Sequence, residues 1–316
     1  MLIVAISVLV FAALIFFSGP RAKTNSHFTR PELPEDLDGY LTQSEQICTD
    51  LKVGAEKTIF WANADHRKTR YAFVYLHGFS ACRQESEPVP SDIAKHFQSN
   101  IFYSRLAGNG RCDEALAEGS VNKWVNDASE ALTIAERIGE KTIIIACSTG
   151  ATIAWWISQQ KEFSQSVGAM IFFSPNFGLV DKKAAILLWP WGEQIATAIA
   201  GKYRRTNPAN EQQAKYWTNC YRVKALIPLM SMVRLARRYP ASASDIPTFI
   251  LYSNLDSTVD SNHIKEFYQN LTAKKSSMVI DDPEAASKHV LVGDILAPQN
   301  NAAVTKSAIE FIEALT

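Results

Sequence analysis

Short apolar runs rich in β-branched and aromatic residues recur along the chain, and between them apolar positions fall at helical spacing. The runs lie at 58–61, 71–76, 100–103, 142–145, 167–173, 247–252 and 276–280. Most are unbroken rather than alternating, as expected of strands buried on both faces of a parallel sheet. The intervening segments at 91–97, 121–138, 151–157, 264–271 and 303–314 read as helices, with Ser120 or Asn122 available to cap the second of them. Strands alternating with helices predict an α/β architecture: a mostly parallel central sheet covered by helices on both faces. Ligands in such sheets bind beyond the C-terminal ends of the strands.

Two segments break this rhythm. Residues 176–244 form an insertion too long for an ordinary connection, expected between the sixth and seventh strands. It contains apolar helical stretches at 184–191 and 225–233, and the arginines Arg204, Arg205, Arg234, Arg237 and Arg238, which read as a solvated face. At the other end, Leu2 to Phe17 is apolar except for Ser7. At 1.5 Å per residue it spans about 25 Å, slightly short of a bilayer core. It lacks a basic leading region and a small-residue cleavage site, so residues 1–18 are expected to be an uncleaved single-pass transmembrane anchor. Arg21, Lys23 and Arg30 follow it and favour a cytoplasmic body. Residues 19–54 read as linker and leader, and 55–316 as the folded domain.

Composition narrows the function classes. Lysine plus arginine, at 32, equals aspartate plus glutamate, at 32, so no net positive charge favours nucleic acid. No phosphate loop, dinucleotide fingerprint or zinc-spaced cysteine pair is present, so neither cofactor nor metal is expected. Of five cysteines, Cys147 is expected buried and reduced. Cys82 and Cys112 follow adjacent strands; a bridge between them would place the body in an oxidising compartment, and geometry decides whether it forms. Oligomeric state is not legible.

The chemistry sits at strand ends. Ala146-Cys147-Ser148-Thr149-Gly150 joins a buried strand to a helix, so the chain turns sharply with a serine at the apex and helix amides facing the space above it. The strand at 71–76 runs into His77-Gly78-Phe79, where the Phe79 amide can join that of Thr149 in facing an oxyanion; the His77 ring reads as structural. Beyond the strand at 247–252 stand Asp256 and Asp260. Asp256 is the favoured acid, since Val259 looks like the anchor of the next helix and Asp260 suits a helix start. After the last strand comes His289. His27, His66, His96 and His263 lie in polar or amphipathic settings and read as solvated or structural. A serine needs a base within reach, and the base an orienting acid: Ser148, His289 and Asp256 supply that order.

These residues, with Arg105-Leu106-Ala107-Gly108-Asn109-Gly110-Arg111, resemble the α/β-hydrolase fold family over roughly 55–316. Within it the chain looks most like the monoacylglycerol lipase and lysophospholipase-like branch. There a strand ends in Arg-Leu-x-Gly-His-Gly; here Asn109 replaces the histidine, and Ala146 replaces the first glycine of the serine turn. The resemblance implies a helical lid made by the insertion, whose apolar stretches would pack on the body and line an acyl pocket. The expected activity is a membrane-anchored serine hydrolase of small-molecule or lipid-like carboxylic esters. A peptidase or amidase, a thioesterase, and a non-catalytic binding module remain alternatives.

Overall fold

The computed structural model describes residues 1–315. A helix α1 (Leu2–Phe17) and a second, α2 (Leu37–Gln46), precede β1 (Thr58–Phe60) and β2 (Thr69–Leu76). Then follow α3 (Val89–His96), β3 (Asn100–Tyr103), α4 (Val121–Ile138), β4 (Gly139–Cys147), α5 (Thr149–Ser158) and β5 (Val167–Phe173). The insertion contributes α6 (Gly192–Ala200), β6 (Tyr203–Arg205), α7 (Glu211–Tyr216), β7 (Cys220–Arg222) and α8 (Leu226–Ala236). The body resumes with β8 (Thr248–Tyr252), α9 (Ser261–Asn270), β9 (Lys275–Val279) and α10 (Asn301–Glu313).

Among the described residues, seven strands form the central sheet in the order β1-β3-β2-β4-β5-β8-β9, and only β1 runs antiparallel to its neighbour. The insertion therefore follows the fifth strand of this sheet, not the sixth as expected. Each central strand feeds both faces, because successive side chains alternate. From β2, Ala72, Val74 and Leu76 enter a core shared with α4, α5 and α8, while Tyr71, Phe73 and Tyr75 enter one shared with α3 and α10. The run reads as uniformly apolar because both faces are dry. Helix α4 starts where Ser120 accepts the Lys123 amide, the cap expected from sequence.

Helix α8 is the deepest part of the insertion. Leu229, Met232, Val233 and Leu235 join the α4–α5 core with Trp155 and Trp156. The stretch at 225–233 thus holds the insertion on the body. The other stretch is a short 3-10 turn, Lys182–Leu188, leading to an exposed Trp189. The hairpin β6–β7 was not expected: its strands are three residues each, and β6 is exposed throughout.

The transmembrane expectation is corrected. Among the described residues, no helix is long and apolar enough to cross a membrane. Helix α1 has 16 residues, about 24 Å against a hydrocarbon core of about 30 Å. None of its side chains is buried; only its C-terminal end touches the insertion, where Phe16 meets Trp189 edge-on and the Trp191 indole donates to the Ile15 carbonyl at 3.1 Å. The segment after it is held along its length. Phe28 packs on Trp156 and Phe163, Arg30 pairs with Glu136 and lies over the Phe163 ring, and Ser129 donates to the Thr29 carbonyl. All five cysteines are free, so Cys82 and Cys112 do not pair.

Candidate active site

Ser148 stands between β4 and α5 with φ 49° and ψ −113°, a conformation that L residues avoid. The surroundings over-determine it. Its amide donates to the Phe173 carbonyl at 2.9 Å, and its carbonyl accepts from Asn176 and Thr152. Gly150 allows the turn to sit this close to the sheet: a Cβ there would lie 2.1 Å from the Leu76 carbonyl oxygen. Ala146, in place of the usual glycine, is buried and is not among the residues with positive φ.

The structure brings Ser148, His289 and Asp256 together. His289 Nε2 is 2.9 Å from Ser148 Oγ, and His289 Nδ1 is 2.6 Å from Asp256 Oδ2. The Asp256 side chain is 1% exposed and that of His289 17%. The other carboxylate oxygen of Asp256 accepts the amides of Thr258 and Val259 at 2.7 and 2.9 Å, which fixes the plane of the group. Asp260 points elsewhere. It caps α9 by accepting the Asn262 amide and pairs with Lys182 at 2.6 Å, a contact that holds its carboxyl below the usual range.

The loop before Phe79 is tied to the next strand end through His77. Its Nδ1–H donates to the Gly78 carbonyl at 2.7 Å, and its Nε2 accepts the Leu106 amide at 3.0 Å. Accepting the Leu106 amide needs a neutral ring, and burial pushes its pKa down to about 4. Because a trans peptide sets its N–H opposite its C=O, a Gly78 carbonyl turned to His77 turns the Phe79 amide the other way. Arg105 in turn is fixed by a buried pair with Glu45 of α2 at 2.8 Å. Asn109, where the related branch has histidine, donates to the Leu106 carbonyl.

Several contacts here have no signature in the sequence. Ser174 donates its hydroxyl to the His289 carbonyl at 2.6 Å. Asp281 accepts from Ser253 and Asn254 and so braces the loop before Asp256. Ser287 accepts the His289 amide. Glu85, in a polar stretch of chain, is buried beside Gly78; burial pushes its carboxyl up to about 7, against the opposing effect of bonds from Gly78 and Tyr75. Each is a polar residue whose partner lies on another loop, so no local pattern singles it out.

The insertion covers this end of the sheet. The Thr218 amide donates to the Ser80 carbonyl at 2.8 Å, and Trp217 packs with Ala81, Val290 and Leu296. Phe79 is bounded by Trp124 and by Tyr221 of the insertion, and Leu226 packs on the same cluster of Leu116, Tyr221 and Ala225. Leu226 also lines an apolar cavity of about 200 Å³ within the insertion, with Ile186, Leu187, Ile199 and Val223. Leu229 and Trp189, expected near an acyl pocket, are respectively in the core and at the surface. Among the described residues, no cluster of His, Cys, Asp and Glu could hold a metal ion.

Comparison with known proteins identifies the family of the chain. A family model described as "Serine aminopeptidase, S33" (Hydrolase_4) matches residues 68–283. No curated protein matches the chain. Among solved structures, one from the work on LipS and LipT, two metagenome-derived lipolytic enzymes, is 15% identical with a TM-score of 0.68, covering 84% of this chain and 99% of that one. A monoacylglycerol lipase of Paleococcus ferrophilus is 12% identical with a TM-score of 0.57, over 82% of this chain and 98% of that one. A soluble variant of monoglyceride lipase from Saccharomyces cerevisiae is 13% identical with a TM-score of 0.58, over 83% and 94%. At these identities the structures share a fold with this chain, while the family match spans well over half of it. The chain belongs to the serine aminopeptidase S33 (Hydrolase_4) family of α/β-hydrolases.

Proposed function

We propose that the protein is a serine hydrolase that cleaves carboxylic esters of acyl or lipid-like substrates, with Ser148 as nucleophile, His289 as general base and acid, and Asp256 as orienting acid. The observation that carries the reading is the continuous relay of Ser148 Oγ, His289 and Asp256 at 2.9 and 2.6 Å on a strained turn above the sheet.

His289 Nε2 takes the Ser148 proton as Oγ bonds to the ester carbonyl carbon. Asp256 holds the proton on Nδ1, so Nε2 is free to accept, and its charge stabilises the imidazolium that forms. The amides of Phe79 and Thr149 face the developing oxyanion. The intermediate collapses as His289 returns the proton to the leaving alcohol. Water then repeats the sequence on the acyl-enzyme, releasing the acid and restoring Ser148.

The acyl side is read from Phe79, packed by Trp124 and Tyr221, and from Leu226, which packs on the same Tyr221 cluster as Phe79 and lines the cavity of about 200 Å³. Each buried methylene is worth about 0.8 kcal/mol, or about fourfold in kcat/KM. A panel of p-nitrophenyl esters from acetate upward tests this. The expected result is a rise with acyl length until the pocket fills, a loss of that rise in Leu226→Asn, and no hydrolysis or fluorophosphonate labelling in Ser148→Ala. A flat profile would remove the acyl-chain specificity. Labelling of Ser148→Ala would remove the nucleophile assignment. The family's description favours amide hydrolysis as the second reading; faster turnover of amino-acid anilides than of any ester would establish it instead.

A further inference from the structure

Glu85 is a carboxylic acid that the proposed chemistry does not use, yet it is 2% exposed and lies beside the nucleophile. It ends a short 3-10 turn, Arg83–Glu85. Its Oε1 accepts two donors: the Gly78 amide at 2.5 Å and the Tyr75 hydroxyl at 2.9 Å. A Cβ built on Gly78 would meet Glu85 Oε2 at 3.0 Å and Ser148 Cβ at 3.4 Å, so the carboxyl and the nucleophile flank the same glycine. On its other side the turn is packed by the chain that follows His289. A Cβ at Gly293 would meet the Glu85 carbonyl oxygen at 2.3 Å, and the Asp294 amide donates to the Glu87 carbonyl at 2.8 Å.

Gly78 is the most pliable residue of the loop and is held at both ends. Its carbonyl is taken by His77 Nδ1–H and its amide by Glu85. A glycine free at either end would sample many φ and ψ values, and each would aim the next amide differently. We propose that Glu85 is a positioning residue: by accepting the Gly78 amide it fixes the glycine and thereby aims the Phe79 amide at the oxyanion. It touches no reacting atom, and this role rests on the oxyanion assignment made above for Phe79.

The test compares wild type, Glu85→Leu and Glu85→Gln for kcat and KM on a short-chain ester, affinity for a trifluoromethyl ketone, fluorophosphonate labelling and thermal midpoint. The ketone adds Ser148 Oγ to its carbonyl carbon and leaves an oxyanion, so its affinity reports the aim of the amides. Removing a whole oxyanion donor costs about a hundredfold or more in kcat; misaiming one costs less. Glu85→Leu is expected to lower kcat by about ten- to a hundredfold, leave KM within about threefold, and weaken the ketone in parallel. Glu85→Gln keeps an acceptor oxygen and is expected to restore most of both. If Glu85→Leu does not fold, Tyr75→Phe, which releases the carboxyl from its anchor, is expected to give the same pattern to a smaller degree. Wild-type kcat in the folded Leu variant, or a fall in kcat and thermal midpoint with ketone affinity unchanged, would overturn the inference alone. A wild type that is neither labelled nor active on esters would overturn the parent reading and this inference with it.

Discussion

Replacing Asp256 by asparagine separates orientation from packing. The substitution is isosteric, and the asparagine carbonyl can still accept the Thr258 and Val259 amides that Oδ1 accepts in the native protein. The other corner then presents an NH2 group to His289 Nδ1, where a carboxylate oxygen lies at 2.6 Å. A donor facing Nδ1 forces that nitrogen to accept, which moves the ring proton to Nε2. The ring then has no lone pair toward Ser148 Oγ, 2.9 Å away. The wrong tautomer and the lost negative charge together lower kcat by about ten thousandfold, or about 5 kcal/mol of transition-state stabilisation. Asp260→Asn is the control. Asparagine caps a helix as well as aspartate does, and the lost pair with Lys182, 68% exposed at its side chain, is a surface contact worth at most about 1 kcal/mol. Stopped-time hydrolysis of p-nitrophenyl butyrate, with circular dichroism and active-site titration, measures both. A folded Asp256→Asn protein retaining a tenth of native kcat, or a larger loss in Asp260→Asn, would refute the orienting role.

Three further outcomes follow from burial. Burial holds the Glu85 carboxyl at about 7 in the folded protein against 4.5, so the stability it contributes is full below about pH 4.5 and lost as pH rises from there through 7, about 3 kcal/mol in all; its neighbours Tyr75 and Cys147, raised by burial, stay neutral over that range. Urea unfolding is therefore expected to show Glu85→Gln gaining on wild type between pH 5 and 8, and a constant difference would refute the shift. Leu229→Ala is expected to cost 2–5 kcal/mol, roughly, by leaving a cavity between α8 and α5, with short-chain ester turnover near native in the folded fraction; a loss under 1 kcal/mol would mean that α8 does not hold the insertion. Deleting residues 2–17 is expected to leave the thermal midpoint and kcat/KM on a short-chain ester unchanged, because α1 buries no side chain in the body; a large fall in either would show that its end contact with Trp189 and Trp191 supports the site.

The parts of the molecule legible in the sequence are those where one physical signal suffices. Strands β2, β4 and β5 are dry on both faces and read as unbroken apolar runs, so all seven central strands were found in order. Helix α4 carries an apolar face and a capping serine, and its bounds coincide with the pattern. Ser148, Asp256 and His289 could be nominated because each follows such a strand. What escaped depends on distant partners. Glu85 is one acid in a polar stretch, and only the fold shows that it, rather than Glu87, meets Gly78. The β6–β7 hairpin has strands of three residues, too short to show a period, and Tyr221 is its one buried side chain. The segment at 19–54 reads as linker by composition, but Phe28 and Arg30 find partners more than a hundred residues away, on α4 and the end of α5. The apolar stretch at 225–233 could serve packing or substrate, and burial of Leu229 and Val233 in the α4–α5 core assigns those residues to packing.

The proposed triad is held less by its loops than by the strands beneath them. The Ser148 amide donates to the Phe173 carbonyl at the end of β5. The Ser174 amide donates to the Leu251 carbonyl in β8, while its hydroxyl takes the His289 carbonyl. The Ile280 amide donates to the Tyr252 carbonyl, and Asp281 beside it braces the loop that carries Asp256. Each step crosses to the next strand of the order β4-β5-β8-β9, so the register of four adjacent parallel strands sets the distances between the three side chains. That register is fixed by two dry faces, since a slip of one residue would exchange the two cores. A long insertion can therefore leave the chain just after β5 without loosening the site: Ser174, positioned by β8 before the chain departs, already holds the histidine. On the proposed reading the insertion acts on what the site admits, through residues such as Tyr221 that pack on Phe79, and does not build the site.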